Sequence, residues 1–415
     1  MQITELAPNL KMPPGYWDFG NERELKWHRI HAYPAKFPAF ITGKAVEHAR
    51  SKGVEVNKVA DIFCGCGTTA FEARRLNLDF WGCDVNPVAT LIASVKGETY
   101  QSARLERYFS EIEAEFTNSG KTAAIEFENK RIQYWFSESQ SNELSAIKQS
   151  VETLLNGKYR DFFLCAFSNI LKPASRWLTK SIKPQIDPTK KPQKPWHLFE
   201  QQVNLMLTAL NEIKVPSRKS EIDIQTTNFF EADLKQGSVD LIVTSPPYVT
   251  SYEYADLHQL STLWLGFADD YRDLRKGTVG SLYKDFDFNA DVKTLCSLGS
   301  KMVFRLYNID KRKAAATARY FKDLEATVHR CKSVLRKGGM LFFVIGDTEY
   351  KDVRVENSKL LAACLKASGF TEISCTKRKI SRKILTPYRD AKGCFSTKST
   401  DRKVYAEEFV ISAIK

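Results

Sequence analysis

The chain has 415 residues, of which 43% are hydrophobic and 27% charged, as in a globular protein with one large domain or a domain carrying an insert. Its net charge of +13 favours a polyanionic partner, with nucleic acid as the first candidate and an anionic membrane as the second. A basic protein that binds neither partner could carry the same charge. Because no apolar stretch is long enough to span a bilayer and the N-terminus has no signal-peptide core, we expect a cytoplasmic protein.

The nine cysteines are scattered along the chain. Cys64 and Cys66 are one residue apart, but no second cysteine or histidine pair completes a zinc site with them. We therefore expect reduced thiols and no metal ion.

The N-terminal 27 residues are predicted to form an arm, and the segment HAYPAKFP (31–38) follows it. Its two prolines keep this segment extended before a helix that begins near Phe40. An entry loop packed on the core would have the same features.

The stretch VADIFCGCGTT (59–69) predicts a strand, a glycine-rich turn and the start of a helix. The glycines allow close approach of the backbone to a ligand, although the turn matches neither the phosphate loop nor the dinucleotide fingerprint. A second strand ends at Asp84, about twenty residues after the turn, where a Rossmann-like unit binds a ribose diol. A helix N-cap is the alternative role of Asp84.

Residues 101–225 have helical spacing and many charges, and they predict a mainly helical insert between the second and third strands. Within it, residues 180–194 are rich in lysine and proline, which is typical of a mobile loop.

The α/β pattern then resumes, with a strand predicted to end at Asp233 and another over Val239–Val243. That strand runs into TSPPY (244–248), where two prolines remove backbone donors and leave carbonyl acceptors beside a hydroxyl and a ring.

Further along, we expect irregular structure over 270–300, helices over 316–336 and 356–369, and strands over 340–345, 371–376 and 408–413. Glycines at 338 and 339 would end the first helix, and Asp347 follows the first of these strands. Alternating strands and helices predict a doubly wound α/β sheet, whose ligands bind at the carboxyl ends of the strands.

Together, FCGCG (63–67), TSPPY and HAYPAKFP resemble motifs of the DNA amino-methyltransferases, which use S-adenosylmethionine. The resemblance implies a Rossmann-like methyltransferase sheet with helices on both faces and a mainly helical insert. Residues 1–100 would form the arm and the cofactor-binding half, 101–225 the insert, with a possible role in DNA recognition, and 226–415 the catalytic half with a basic C-terminal stretch.

The same resemblance implies roles for individual residues. The catalytic residues would be Ser245, Pro246, Pro247 and Tyr248. The cofactor would be bound at its methionine end by Lys36, Phe37 and Pro38, at the glycine turn by Asp61, Phe63, Gly65 and Gly67, at its ribose by Asp84, and at its adenine by Asp233 and Leu234, with Thr244 close by.

The serine form of the catalytic motif is associated with cytosine-N4 enzymes, whereas adenine-N6 enzymes mostly have aspartate or asparagine there. The Ser245 hydroxyl and the Pro246 carbonyl would accept the two amine N–H bonds, and Tyr248 would stack on the base. The target base must be flipped out of a duplex, or the substrate must be single-stranded. Tyr252 and Tyr254 are candidates for holding a flipped base, with packing against the insert as an equal alternative. No Pro-Cys pair occurs, which argues against cytosine-C5 methylation.

The predicted partner is double-stranded DNA, together with a cognate nuclease of a restriction-modification system, and the oligomeric state stays open. Two basic clusters are candidates for contacts with the DNA backbone: Lys172, Arg176, Lys180, Lys183, Lys190, Lys191 and Lys194 in the insert, and Lys377, Arg378, Lys379, Arg382, Lys383 and Arg389 near the C-terminus. The competing functions are DNA adenine-N6 methylation, RNA amine methylation and non-catalytic DNA binding.

Overall fold

The computed structural model describes residues 15–18, 23–34, 36, 38–118, 129–214, 218–249, 254–280, 288–351, 353–379, 388–389, 395–396 and 407–415. Its strands are β1 Lys58–Asp61, β2 Asp79–Asp84, β3 Ile222–Thr226, β4 Val239–Thr244, β5 Leu335–Ile345, β6 Thr348–Tyr350, β7 Val353–Val355, β8 Thr371–Lys379, β9 Tyr388–Arg389, β10 Phe395–Ser396 and β11 Glu407–Ile414.

Seven of these strands form one sheet in the order β3-β2-β1-β4-β5-β11-β8. The first five are parallel, and β11 is antiparallel to both of its neighbours. Two short antiparallel pairs, β6–β7 and β9–β10, lie outside this sheet.

The helices preceding β3 are α1 Phe40–Ser51, α2 Thr68–Arg75, α3 Pro87–Gly97, α4 Ser102–Asn118, α5 Lys130–Trp135, α6 Glu138–Glu152, α7 Lys158–Ala174 and α8 Pro195–Asn211. After β4 come α9 Tyr254–Leu257, α10 Gln259–Trp264, α11 Phe288–Thr294, α12 Ser297–Tyr307, α13 Lys311–Val334 and α14 Asn357–Ala367. Short 3-10 helices cover Lys26–Arg29 and Tyr271–Gly277.

The two faces of the sheet carry separate apolar cores because side chains alternate along each strand. Phe342 and Val344 of β5 pack with α1, whereas Leu341 and Phe343 pack with α13 and α14. Helices therefore cover both faces, which confirms the predicted Rossmann-like α/β fold.

The helical insert forms an outer layer on α2 and α3. Its core contains Phe162 and Phe163 of α7 and continues into Phe71 of α2 and Ile92 of α3. Since β3 begins at Ile222, the last residues assigned to the insert belong to the sheet.

The predicted mobile loop of the insert is instead a hydrogen-bonded hairpin. Trp177 and Ile186 form an antiparallel bridge. The Lys190 ammonium donates to the carbonyls of Lys172 and Trp177 at 3.0 and 2.8 Å, which pins the hairpin to α7.

Three other predictions of secondary structure were wrong. The strand ending at Asp233 is absent, because β3 ends at Thr226 and a turn follows in which Asn228 Oδ1 accepts from the Phe230 N–H at 3.0 Å. The segment 270–300 contains a 3-10 helix, α11 and the start of α12. The glycines do not end α13, because Leu335 already pairs with Val239 in the sheet.

No helix among the described residues is both long and apolar enough to cross a membrane.

Candidate active site

A cavity of about 640 Å³ opens at the carboxyl edge of the parallel strands. Seven of the residues predicted to form the site line it: Lys36, Phe63, Gly65, Asp84, Ser245, Pro247 and Tyr248. They come from the N-terminal segment and from the ends of β1, β2 and β4, so the fold joins segments that are up to about two hundred residues apart in the sequence.

The two glycines of the turn have different tasks. Gly65 has a φ of +45°, and a Cβ atom on it would lie 3.3 Å from the Tyr33 hydroxyl at the cavity wall. Gly67 has a φ of +72°, but its added Cβ would lie 2.5 Å from Cα of Ala93 in α3. Gly67 lies outside the cavity lining and allows α2 and α3 to pack closely, so its contact with the cofactor stays a prediction.

Asp84 presents its carboxylate to the cavity at the end of β2. One oxygen accepts from the Gly65 N–H at 3.0 Å and the other from the Asn86 N–H at 2.9 Å. Burial raises the pKa of Asp84 to about 6, an effect that these backbone hydrogen bonds oppose. The N-cap of α3 is Asn86, whose side chain accepts from the Val88 N–H, so Asp84 remains available to a ligand.

Asp61 and Thr244 lie outside the cavity lining, and their assignment to the cofactor stays a prediction. Both are buried. Asp61 accepts from the hydroxyls of Thr244 at 2.6 Å and Thr69 at 2.9 Å and from the Phe63 N–H at 3.2 Å. Because burial is the larger effect, the pKa of Asp61 is raised to about 6. Asp61 thus joins the glycine turn to the catalytic strand.

The wall next to β3 is built by residues that the sequence did not single out. Thr227, Asn228 and Phe229 line the cavity, whereas Asp233 is exposed and, like Leu234, lies outside the lining. The Asn228 side chain donates to the Gly277 carbonyl at 3.1 Å, which holds the 3-10 helix Tyr271–Gly277 over this wall. The cavity lining gives the placement of Asp233 and Leu234 at the adenine end no support, and it stays a prediction.

One ammonium group lines one end of the cavity, and a second lies behind the lining. The Lys36 ammonium donates to the His28 carbonyl at 3.0 Å and lies 3.5 Å from Glu24. The ammonium of Lys96, which is fully buried, contacts the same carbonyl and the Cys66 sulfur, each at 3.4 Å. This end fits an anionic group, and burial lowers the pKa of Lys36.

The predicted N-terminal cover contributes Lys36 to this end. Pro38 does not line the cavity, so its contact with the cofactor stays a prediction. Phe37 lies outside the described residues. Tyr33 lines the cavity instead and stacks on His258 at 5.0 Å between ring centroids.

The segment 245–248, predicted to be catalytic, places an oriented hydroxyl at the cavity wall. Ser245 donates its proton to the Val344 carbonyl at 2.9 Å, so the lone pairs of its oxygen remain available as acceptors. Pro247 and Tyr248 also line the cavity. Pro246 is buried outside the lining, and its carbonyl as a second acceptor stays a prediction.

Tyr248 is held by a buried ion pair. Its hydroxyl donates to Glu408 at 3.1 Å, and the other oxygen of Glu408 accepts from Arg378 Nε at 2.9 Å and Nη2 at 2.8 Å. Arg378 is 3% exposed, so its prediction as a DNA contact was wrong.

The other predicted contacts fall into three groups. Lys172 and Lys190 are half-buried and form hydrogen bonds that hold the hairpin. Arg176 is exposed, but it donates to backbone carbonyls of the α5 segment. Residues whose side chains are exposed or partly exposed are Lys180, Lys183, Lys191, Lys194, Lys377 and Lys379. Tyr252, Arg382 and Lys383 lie outside the described residues, and Tyr254 and Arg389 are described only in their backbone.

Among the described residues, no group of three or more His, Cys, Asp or Glu side chains could hold a metal ion.

No family model matches the chain. A curated relative, the Type II methyltransferase M.MvaI of Kocuria varians, is 24% identical over 392 residues, which are 88% of this chain and 86% of the relative. Two structures of the rRNA methyltransferase aviRa from Streptomyces viridochromogenes match at 11% identity, with TM-scores of 0.28 and 0.25. They cover 92% and 78% of this chain and 88% and 86% of theirs. The curated match supports a methyltransferase activity. The assignment of the fold is based on the strand order of the sheet.

Removal of the Thr244 hydroxyl tests the buried tie to Asp61. Thr244→Val is nearly isosteric but leaves the buried carboxylate with one donor fewer, so we expect the free energy of unfolding to fall by about 1–3 kcal/mol. Urea denaturation measures it. Thr208→Val, at an exposed position of α8, is the matched control, and equal stability of the two variants would refute the proposed role of the tie.

Proposed function

We propose that the protein is a sequence-specific DNA methyltransferase that uses S-adenosylmethionine to methylate the exocyclic N4 amine of a flipped cytosine. The observation that carries this proposal is the Ser245 hydroxyl, which faces the cavity with its proton held by Val344. The N-terminal wall of that cavity carries the groups that a charged nucleoside cofactor requires.

The residues present fit S-adenosylmethionine. Asp84 would accept from the ribose hydroxyls, Lys36 would bind the carboxylate of the methionine moiety, and Phe229 would contact the adenine. All three line the same cavity of about 640 Å³. When bound, the cofactor supplies an electrophilic methyl group.

The chain itself makes the amine nucleophilic. The lone pair of a cytosine amine is delocalised into the ring, and acceptors for its N–H bonds favour a tetrahedral nitrogen. Because Ser245 has already donated its proton, its oxygen can accept one of these bonds and disperse the positive charge that develops. Positioning of base and methyl donor then lowers the barrier further.

Tyr248 supplies a ring for stacking on the flipped base. The Glu408–Arg378 pair fixes its hydroxyl, so its position is set before a base arrives. A flipped base leaves the stack of its duplex, and the aromatic contact offsets part of that cost.

Two features favour this amine chemistry over covalent cytosine-C5 chemistry. Neither cysteine of the turn follows a proline. Cys64 lines the cavity, but burial and the nearby carboxylates raise the pKa of its thiol well above the ordinary value, which disfavours a thiolate nucleophile.

Serine at the first catalytic position favours cytosine over adenine, and adenine-N6 methylation is the nearest alternative. The proposal includes a cytoplasmic location and a cognate restriction nuclease, in line with the name of the Type II relative.

Parallel transfer assays test the substrate class. The protein is incubated with S-adenosylmethionine carrying a labelled methyl group and with duplex DNA or RNA of equivalent sequence. We expect the label in DNA. Label confined to RNA would reject the DNA proposal, and absence of cofactor binding by calorimetry would favour the non-catalytic alternative.

Ser245→Ala removes the oriented acceptor. We expect kcat to fall on the order of 10²–10³-fold, while the Kd for the cofactor changes by less than about twofold, because the lost contact acts on the amine. Single-turnover transfer and calorimetry measure the two quantities, with the exposed Ser110→Ala as control. A comparable loss in cofactor binding would contradict the assignment.

Protonation of Asp84 should weaken cofactor binding. Since the pKa of this carboxyl is about 6, the acceptor oxygens are lost as the pH falls through that value, and the Kd should rise by up to about tenfold per pH unit below it. Calorimetry of the wild type and of Asp84→Asn measures this. The variant should bind more weakly at neutral pH and show a flatter profile. An unchanged profile would assign the titration to another group.

Lys36→Met tests the positive end of the cavity. The variant should lose about 10–100-fold in affinity for S-adenosylmethionine, because a charge-assisted hydrogen bond is removed. Its affinity for 5′-methylthioadenosine, which lacks the amino-acid portion, should stay near that of the wild type. The exposed Lys219→Met is the control. Equal losses of affinity for both ligands would show that Lys36 does not bind the carboxylate.

A further inference from the structure

An exposed basic surface borders the cavity at the junction of α12 and α13. Its five cations come from both helices and from the turn between β6 and β7: Lys301, Arg305, Lys311, Arg312 and Lys351. We name this surface the α12–α13 patch. We infer that it binds the sugar-phosphate backbone of duplex DNA beside the flipped base, an inference that rests on the proposed function.

The patch has an excess of positive charge. Within the described part of the chain, none of its five cations lies within salt-bridge distance of a carboxylate. Two acids lie beside these cations. Asp310 accepts from the Lys313 N–H at 2.9 Å and the Tyr350 hydroxyl at 2.7 Å, and these hydrogen bonds and the Lys351 charge lower its pKa. Asp347 pairs with Arg354 at 3.2 Å. A surface of this kind attracts a polyanion and releases counterions when it binds one.

Apolar and aromatic side chains lie among these cations. Phe304 is 55% exposed and Ile309 is 42% exposed. The Lys311 ammonium lies 5.4 Å from the centroid of the Tyr307 ring. Basic groups interleaved with rings are typical of a surface that contacts both phosphates and sugars.

The patch is continuous with the wall of the cavity. Asp310, Arg312 and Lys313 line the cavity that also contains Ser245 and Tyr248. From this rim the exposed face of α12 runs away from the cavity, and its eleven residues span roughly 16 Å, or about five base-pair steps of a duplex. A duplex held here would present one base at the cavity.

The two clusters predicted from the sequence are weaker candidates. Lys172 and Lys190 pin the hairpin of the insert, and Arg378 is buried against Glu408. The patch cations, in contrast, point outward and adjoin the catalytic residues.

The salt dependence of DNA binding tests the inference. A triple variant, Lys301→Gln with Arg305→Gln and Lys311→Gln, leaves the cavity lining intact. Its matched control is Lys235→Gln with Lys337→Gln and Lys366→Gln, three exposed lysines near the amino edge of the sheet. A third triple, at Lys180, Lys183 and Lys191, probes the insert hairpin. Binding of a labelled mixed-sequence DNA duplex is measured for each protein over a range of salt concentrations.

We expect the patch variant to bind DNA more weakly. The slope of log K against log salt concentration should be smaller in magnitude by about 2–3. The amino-edge control should retain the wild-type slope, and calorimetry should show an unchanged cofactor Kd in all variants. A patch variant that matches the amino-edge control, or a loss confined to the insert variant, would overturn the inference while leaving the proposed function intact.

An RNA duplex serves as the second probe. Preference of the wild type for RNA over DNA would overturn both the docking inference and the DNA substrate. If the wild type binds DNA and transfers methyl groups but the patch variant loses nothing, only the docking surface is rejected.

Discussion

The site depends on one buried carboxylate. Asp61 ends β1 and receives hydrogen bonds from the start of α2 and from the end of β4, through Thr69 and Thr244. Burying a carboxylate destabilises the folded protein unless donors form hydrogen bonds with its oxygens. The two threonine hydroxyls must therefore lie within hydrogen-bond distance of Asp61. These hydrogen bonds hold the glycine turn beside the end of β4, although Asp61 and Thr244 are 183 positions apart.

From that junction, the polar groups of the cavity follow a consistent order. The Lys36 ammonium lines one end, and the buried Lys96 ammonium lies behind it on the same His28 carbonyl. Asp84 offers acceptors at the end of β2, and Ser245 offers an oriented hydroxyl at the end of β4. An anion, a diol and an amine would each meet the complementary group, which is why a zwitterionic nucleoside cofactor and an amine substrate fit the arrangement.

The sequence predicted the elements whose signals are local. Asp84 follows an apolar strand close to a glycine turn, and Ser245 follows a buried strand, so both could be placed at strand ends. Asp233 could not be placed correctly, because the apolar pair at 229–230 resembles a strand whereas β3, IDIQT, is an edge strand without a buried face. Arg378 looked like a surface cation because its partner Glu408 is 30 positions away. The α12–α13 patch was missed because only the fold brings its cations, spread over about fifty positions, to one surface.

The identity of the methylated base tests the central claim most directly. Duplex DNA methylated by the protein with a labelled methyl donor would be digested to nucleosides, and the labelled nucleoside identified by chromatography and mass spectrometry. The oriented Ser245 acceptor predicts label in N4-methylcytosine. Label found only in N6-methyladenine would contradict the proposed base, and label in 5-methylcytosine would contradict the proposed amine chemistry.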